Sequence, residues 1–376
     1  MAAKKNTRDA QVAPATRVSA DARKHFEADR LSRLGNQAQI LSADDMAGLY
    51  DRKRGLFTTL GGDFRPITVD DLVAFKAAVH DIQRRHGLRK GNVPTPGAGG
   101  GILAKQVINL SSPDDRSRAS QEIRTVIPVS NRGGVVQLTT NASAKSDVTR
   151  HAITVQFLDY DEVVADGSNS LEAARRMLAG KLKFECDCKR HRYWYRYIAT
   201  IGNFNYGRPE DGFPKIRNPK LMGIACKHII RVMATINAGG TFNLYAKRII
   251  EQGRRTLSNK MTPVTVAEQQ KFVEQIAKAQ KNAKRGAVIR SDEEKREIRQ
   301  AQPSYQRQLA ARQATSADKA AVRKANQKLR DGAKASKVNR PASNAQHQAL
   351  MAAMKAQGFS DKQITAALKA VGKVKG

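Results

Sequence analysis

The sequence predicts an α+β fold, in which a small β-rich domain is followed by a basic, mainly α-helical C-terminal region. Short segments rich in Val, Ile and Thr, which are typical of strands, recur between residues 102 and 188. Apolar residues at three- and four-residue steps over 68–86 are typical of an amphipathic helix. After about residue 240, Ala, Gln, Lys and Arg dominate and β-branched residues become rare, which favours further helices.

The segment before the β-rich domain is predicted to contain one strong helix. Residues 1–42 are polar and basic with little periodicity, so we expect a flexible arm. Residues 43–101 are expected to form a helical segment and a linker. The helix covers 68–86, with Thr68 as its N-cap. Two prolines and several glycines in 91–101 indicate the linker.

The β-rich domain is expected to span 102–240. The predicted strands are 102–110, 123–129, 134–140, 152–158 and 181–188. The second and third of these strands are predicted to form a hairpin through Ser130–Gly133. A helix is predicted over 170–180, with Ser170 as its cap and Gly180 as its stop.

Two helical regions are expected to follow, a basic one over 241–340 and a small helical hairpin over 341–376. The predicted helices are 242–256, 265–285, 291–300, 304–330, 343–357 and 360–371. Between 247 and 376 the chain has 29 Lys and Arg against 10 Asp and Glu. We interpret this excess as an electrostatic footprint for nucleic acid or for an acidic protein surface.

The charge of the whole chain predicts an anionic partner. There are 67 Lys and Arg against 34 Asp and Glu, a formal net charge of +33. Nucleic acid, in particular DNA, is the partner we favour, although an acidic protein or an anionic membrane surface would also neutralise this charge. No apolar run is long enough to span a bilayer, and the N-terminus lacks the apolar segment of a secretory signal. We expect a protein of a virion or of the cytoplasm, without a membrane partner.

All three cysteines form one metal-binding pattern. Cys186 and Cys188 are followed, after 37 intervening residues, by Cys226 and His228. Thiolates and imidazole suit Zn²⁺, which binds four ligands in a tetrahedron. Buried free cysteines are the alternative interpretation, and His191 is an alternative fourth ligand. An odd number of cysteines argues against a disulfide framework, so we expect a reducing compartment.

The expected zinc ion is interpreted as structural. A catalytic zinc keeps one coordination position open for water, and four protein ligands leave none. The chain also lacks a His-Glu-x-x-His motif, which would supply a ligand pair together with a general base.

Residues 180–236 resemble the SWIM zinc-finger family, whose signature is Cys-x-Cys followed at variable distance by Cys-x-His. The apolar segment after the last ligand also matches this family. The resemblance implies Cys186, Cys188, Cys226 and His228 as zinc ligands in an embedded zinc finger. It also implies a role in binding nucleic acid or protein.

The same segment is similar to proteins of tailed bacteriophages. Those proteins can combine Cys-x-Cys, an aromatic run, an Arg-Asn-Pro-like tripeptide and Cys-Lys-His. The corresponding residues here are Tyr193-Trp194-Tyr195, Arg217-Asn218-Pro219 and Cys226-Lys227-His228. This similarity implies a structural protein of a virion.

Basic residues near the ligand pairs and on the C-terminal helices are the candidates for nucleic-acid contacts. They are Lys189, Arg190, Arg192, Arg196, Lys227, Arg231, Arg254, Arg255, Lys284 and Arg285. If the chain around them alternates as a strand, Tyr193, Tyr195 and Tyr197 share one face and the arginines line an exposed face. The tyrosines then form either part of the core or a platform for stacking bases.

Three functions are compatible with these patterns. The first is a non-enzymatic, zinc-stapled structural protein that binds nucleic acid, as part of a phage particle. The second is an assembly module whose basic helices dock on acidic partner chains. The third is an accessory subunit of a nucleic-acid-processing enzyme, which requires carboxylates for Mg²⁺. The candidate carboxylates are Asp159, Asp161, Glu162, Glu210 and Asp211.

Overall fold

The structure is a computed structural model that combines helices with a six-stranded antiparallel sheet. The mixture of helices and strands agrees with the sequence prediction, whereas residues 102–240, predicted to be β-rich, contain more helical than strand residues. It describes residues 12–86, 100–144, 146–255, 261–282, 288–302, 320–321, 323–328 and 351–364. The chain divides into two compact units, Met1–Ile298 and Arg299–Gly376. In the second unit the described residues are mainly helical, at 320–321, 323–328, 351–356 and 361–364. Most of the helices predicted over 304–330, 343–357 and 360–371 lie outside the described residues.

Helices make up most of the first unit. They are α1 (Ala15–Leu34), α2 (Val69–Arg85), α3 (Ala104–Leu110), α4 (Pro113–Glu122), α5 (Tyr160–Ala165), α6 (Ser170–Ala179), α7 (Arg196–Ile201), α8 (Lys227–Ala238), α9 (Gly240–Arg255), α10 (Val266–Asn282) and α11 (Asp292–Gln300), the last of which ends in the second unit. Within the described residues, no helix is both long and apolar enough to cross a membrane.

The strands form a two-stranded ribbon and the central sheet. They are β1 (Phe57–Thr58), β2 (Arg65–Pro66), β3 (Ile102–Leu103), β4 (Val126–Arg132), β5 (Val135–Asn141), β6 (Arg150–Phe157), β7 (Lys181–Cys186) and β8 (Thr262–Pro263). The ribbon pairs β1 with β2, and the sheet has the order β3-β7-β6-β5-β4-β8. The hairpin between β4 and β5 turns at Gly133 and Gly134, later than predicted, and Gly133 has the positive φ of 53° that such a turn favours.

One predicted strand is wrong for most of its length. Of residues 102–110, only two pair with the sheet as β3, and the rest form α3. Ala104, Val107 and Ile108 are buried together, at the three- and four-residue spacing of a helix. A short apolar run can satisfy either period, and here packing against α8 selects the helix.

The prediction of a flexible arm over 1–42 also needs correction. Within its described part, residues 12–42, the 20 residues of α1 form a helix on the face of the sheet opposite the main core. Val18 and Ala22 of α1 pack with Val129 and Ala152 in a small second core. Side-chain contacts add to this packing, including a hydrogen bond from Ser19 to Gln137 (2.9 Å). Many of the contacts of α1 are polar. Such contacts leave no apolar periodicity in the sequence, so the pattern did not predict this helix.

Two helix predictions are confirmed, although the predicted N-cap is correct in only one of them. Thr68 caps α2 in a capping box with Asp71, each side chain accepting a hydrogen bond from the other residue's backbone N–H. Gly180 ends α6, although Asn169 rather than Ser170 supplies the N-cap side chain. Capping residues and a terminal glycine act on the adjacent helical turn, so the sequence alone is enough to predict them.

The main core lies between the sheet and the helices of its other face. Ile153, Val155 and Phe157 of β6 alternate into this core, as expected for a strand with two distinct faces. The buried stripe of α8 packs on β4, β6 and β7, and its remaining neighbours include α3 and α4. This packing brings the start of α8 to the end of β7.

Candidate metal centre

The first two cysteines lie where β7 leaves the sheet. Cys186 is the last residue of the strand and pairs with Ile153 of β6. The backbone N–H of Asp187 still donates to Ala152 (3.1 Å), and the chain then turns. Cys188 lies in this turn, and its Sγ accepts a hydrogen bond from the backbone N–H of His191 (3.3 Å). The predicted strand over 181–188 therefore ends earlier, and the turn rather than strand alternation positions the second thiol.

The other two members come from the beginning of α8. Cys226 is the residue before the first turn of this helix, and His228 lies within that turn. Buried Ile229, Ile230 and Met233 hold the helix on the core. The free backbone N–H groups and the dipole at a helix N-terminus favour negative charge, which stabilises a thiolate.

These four side chains meet at one point. The three Sγ atoms and one ring nitrogen of His228 all lie within 4.8 Å of one another, and all four residues are buried. The Nδ1 atom of His228 is 3.9 Å from the Sγ atoms of both Cys186 and Cys226. None of the three cysteines is in a disulfide. Among the described residues, this is the one group of three or more His, Cys, Asp or Glu side chains arranged to hold a metal ion.

The electrostatics of the group favour a cation at its centre. Burial raises the pKa of the Cys186 and Cys226 thiols well above their ordinary value. Burial acts in the same direction on Cys188, but hydrogen bonds from the other two thiols and interactions with His228 lower its pKa well below the ordinary value. Without a cation, these interactions thus favour a thiolate at Cys188 but not at Cys186 or Cys226. A metal ion at the centre would stabilise all three as thiolates.

Asp187, between the two cysteines, connects the group to two other elements. Its carboxylate accepts hydrogen bonds from Nδ1 of His151 on β6 (2.8 Å) and from Nδ1 of His25 on α1 (3.0 Å). The ring of His151 lies against that of His228, with centroids 4.3 Å apart. Burial by itself would lower the pKa of His151, but the hydrogen bond to Asp187 outweighs burial and raises it.

His191, the alternative fourth ligand, is outside the group. Its side chain is fully buried, and neither ring nitrogen has a hydrogen-bond partner within the described structure. Burial lowers its pKa to about 3, and the charges of Arg196 and Arg192 act in the same direction, so the ring is neutral. Its contribution to the cluster is the backbone hydrogen bond to Cys188.

Two arginines predicted to line an exposed face are buried instead, and so is one lysine among the candidates for nucleic-acid contact. Arg192 and Arg196 each approach the carboxylate of Asp29 on α1 (3.5 Å), and Arg196 also pairs with Glu185 (3.0 Å). Lys227 is buried as well and forms an ion pair with Glu122. Asp29 and Glu122 are more than 100 positions away from these basic residues, so the sequence pattern does not predict the pairs.

The remaining candidates for nucleic-acid contact fall into three groups. Arg190 and Arg254 are half-buried: Arg190 pairs with Asp115 (3.0 Å), whereas Arg254 donates to three backbone carbonyls around the end of α5. Arg231 is half-buried beside a cavity. Lys189 and Arg255 are exposed. The other two, Lys284 and Arg285, lie outside the described residues.

The aromatic run is helical rather than extended. Residues 191–195 form a π-helical turn that continues into α7, so the three tyrosines do not share a strand face. Tyr195 and Tyr197 are buried in the core, but 38% of Tyr193 is exposed. Tyr195 and Tyr197 are therefore part of the core, whereas the ring of Tyr193 is accessible from solvent.

The acidic candidates for Mg²⁺ are not gathered into a metal-binding group in the part of the chain that the structure describes. Glu210 is buried and pairs with Arg33, while Asp211 is exposed. Asp159 adjoins the first turn of α5, which contains Asp161. Each of these carboxylates thus lies in a different setting, and the described residues do not bring them together as ligands of one ion.

The fold and the cluster together define an α+β protein with a buried Cys₃His group that could hold a metal ion. Comparison with protein-family models, with curated proteins and with solved structures gave no match for this chain.

Proposed function

We propose that Cys186, Cys188, Cys226 and His228 bind one Zn²⁺ ion as a structural staple. Three thiolates and one imidazole are a common donor set for structural zinc. Tetrahedral coordination with ordinary zinc–ligand distances gives a sulfur-to-nitrogen separation of about 3.6 Å, and the two separations here are 3.9 Å. The ion would contribute to the free energy of folding by joining the end of β7 to the start of α8.

Metal analysis of the purified chain tests this assignment. We expect one zinc ion per chain, and loss of that ion in Cys226→Ser and in His228→Ala. The matched control is His191→Gln, which should retain the ion because its side chain is outside the group. Wild-type protein without bound metal, prepared under reducing conditions with zinc supplied, would refute the assignment.

We further propose that the protein is a non-enzymatic structural protein that binds nucleic acid, with DNA as the preferred partner. The observation that carries this proposal is a basic and aromatic surface in the insert between the two ligand pairs. The guanidinium groups of Arg190 (4.6 Å) and Arg217 (5.3 Å) each lie over the ring of Trp194. The neighbouring Tyr193 is partly exposed.

This surface has the chemistry that phosphates and unpaired bases require. Tyr193 and Arg217 share the lining of a cavity of about 360 Å³ with Arg33, Arg192 and Lys215. Asp29 is also part of this lining and offsets some of the positive charge by pairing with Arg33 and Arg192. Arg217 is exposed and pairs with no acidic side chain among the described residues. A basic groove with an aromatic ring at its side is typical of proteins that bind single strands. The net charge of +33 adds a long-range attraction for any polyanion.

Binding to single- and double-stranded oligonucleotides over a range of salt concentrations tests this function. We expect the affinity to fall steeply with salt, because each neutralised phosphate releases counterions. Arg217→Gln should weaken binding about 3- to 10-fold and reduce the salt slope by about one. Arg175→Gln, an exposed arginine on α6, is the matched control. Affinity that is insensitive to salt contradicts the proposal.

A place in a phage particle is proposed because the aromatic run, Arg217-Asn218-Pro219 and Cys226-Lys227-His228 resemble segments of phage proteins.

The alternative, an assembly module for other protein chains, is supported by a separate feature. Phe57 and Phe64 of the ribbon stack with ring centroids 4.8 Å apart, and both are exposed, Phe64 by 63%. Exposed aromatic pairs of this kind are frequent at protein interfaces. Purification of partner chains with wild type but not with Phe64→Ser would favour the assembly function.

A further inference from the structure

A second cavity lies away from the residues of the metal centre. It has a volume of about 570 Å³, within the range of about 300–1,000 Å³ that is usual for small-molecule sites. Side chains from α8, the start of α9, α10 and the segment before α11 line it. Its apolar wall includes Val126, Phe242, Phe272 and Ile276.

The charged residues around this cavity are all basic. They are Arg124, Arg231, Arg290 and Lys295, and no acidic residue contributes to the lining. Arg231 is half-buried and has no acidic partner among the described residues. Burial lowers the pKa of Arg231, and the nearby charge of Arg124 lowers it further. A half-buried guanidinium without an acidic partner, such as that of Arg231, costs stability, and an anion in the cavity would relieve that cost.

The backbone contributes both donors and acceptors to the lining. Gly239 and Gly240, at the beginning of the 16-residue helix α9, are part of the lining, and the first N–H groups of a helix lack partners within it. The last turn of α8 borders the same cavity and presents carbonyl oxygens, so the two helix ends offset each other's partial charge. The positive charge of the site therefore comes from its side chains, which add two neighbouring guanidinium groups to an apolar wall.

We propose that this cavity binds a small organic anion that has one negatively charged head group and an apolar body. The head group would lie between Arg231 and Arg124, and the body would pack against Phe242, Phe272 and Ile276. The localised group of cations and the apolar wall favour such an amphipathic molecule over a nucleic acid, whose charge is distributed along its length. This site is independent of the zinc and nucleic-acid proposals.

Calorimetric titration of the full-length chain with four probes tests the proposal. Dodecanoate and dodecyl phosphate share the apolar body and differ in the head group, so we expect both to bind. Dodecan-1-ol lacks the charge and inorganic phosphate lacks the apolar body, so each should bind at least tenfold more weakly. Equal binding of dodecanol and dodecanoate would overturn the proposal. So would displacement of dodecanoate by a single-stranded oligonucleotide, which would assign the cavity to a nucleic-acid surface.

Two variants locate the binding in this cavity. Arg231→Gln should weaken dodecanoate binding at least tenfold, whereas the surface control Arg175→Gln should bind like wild type. Without ligand, Arg231→Gln should melt at the same temperature as wild type or higher, because an unpaired half-buried charge is removed. Ala279→Trp, an exposed lining position on α10, should obstruct the cavity and weaken binding of both anionic probes. Wild-type affinity in both Arg231→Gln and Ala279→Trp would overturn the proposal.

Discussion

His25 of α1 donates a hydrogen bond to Asp187, the residue between the two cysteines of the Cys-x-Cys motif (3.0 Å). The two residues are 162 positions apart in the sequence. Through this contact the first helix is attached to the segment that carries half of the candidate metal ligands. A second contact joins the same elements, since Arg192 donates to the backbone carbonyl of His25 (2.8 Å).

If the Cys₃His group binds a metal ion as proposed, removal of that ion is expected to release α1. Without an ion to fix Cys186 and Cys188, the turn that holds Asp187 loses its position, and His25 loses its acceptor. We expect chelation to lower the melting temperature by about 10 °C or more, since structural zinc is worth several kcal/mol. Limited proteolysis followed by mass spectrometry should show new cleavage sites within 15–34.

The variant His25→Ala distinguishes release of α1 from loss of the metal ion. It removes the contact to Asp187 but none of the four candidate ligands, so it should expose α1 to protease while it retains the metal. Cleavage of α1 at the same rate with and without chelator would show that this helix docks independently of the ion.

A second prediction concerns the buried ion pairs beneath α1. The carboxylate of Asp29 is 3.5 Å from the guanidinium groups of Arg33, Arg192 and Arg196. Asp29→Asn would leave three cations without this counterion in a region of low solvent access. We expect the free energy of unfolding to fall by about 3 kcal/mol or more, measured by urea denaturation.

Asp21→Asn on the same helix is the matched control. Asp21 also pairs with an arginine, Arg150, at 2.7 Å, but about half of its side chain is exposed to solvent. Its loss should cost less than about 1 kcal/mol. Equal costs for the two variants would mean that burial does not determine the strength of these pairs.

The arrangement around Asp29 also shows why the sequence predicted only part of the site. The four metal-binding candidates were recognisable because their spacing is itself the signal. By contrast, Arg192 and Arg196 lie beside the motif, and only the docking of α1 decides that they are buried. A basic residue in a sequence does not reveal a counterion that folding brings from a distant segment.

The secondary structure also divides into elements that local sequence predicts and elements that depend on contacts between distant segments. Strands β4 to β6 and helix α2 were predictable, since alternation and end capping are local properties. Residues 189–197 have a high β propensity but form helical turns, because Cys188 must turn back toward the centre and Tyr195 must enter the core. Long-range packing determined the conformation of this segment, so local pattern was insufficient.

A third prediction is a histidine-dependent loss of stability in mild acid. His86, at the end of α2, lies against Phe204 with ring centroids 4.8 Å apart. Burial lowers its pKa below the ordinary value of 6.5, and the charge of Arg85 acts in the same direction. As the pH falls below about 6.5, the unfolded chain takes up this proton before the folded chain does. Stability therefore falls, by at most about 1.4 kcal/mol per pH unit for this one group.

Urea denaturation at pH 7.5 and pH 5.5 measures this contribution. His86→Gln should lose less stability between these two pH values than wild type does. His80→Gln, on the exposed side of α2, should behave like wild type. An unchanged pH dependence in His86→Gln would place the responsible groups elsewhere.

A final prediction addresses Tyr193, the exposed tyrosine of the aromatic run. Arg192 lies over its ring at 5.9 Å, and the ring borders the cavity that also contains Arg217. If this ring stacks on an unpaired base, Tyr193→Ala should weaken single-stranded DNA binding by about 1–3 kcal/mol, or roughly 5- to 150-fold. Duplex binding should change much less, because paired bases are not available for stacking. Tyr193→Phe keeps the ring and should retain nearly all of the affinity, which separates stacking from a hydrogen bond of the hydroxyl group. Equal losses on single strands and duplexes would instead assign Tyr193 to the shape of the basic surface.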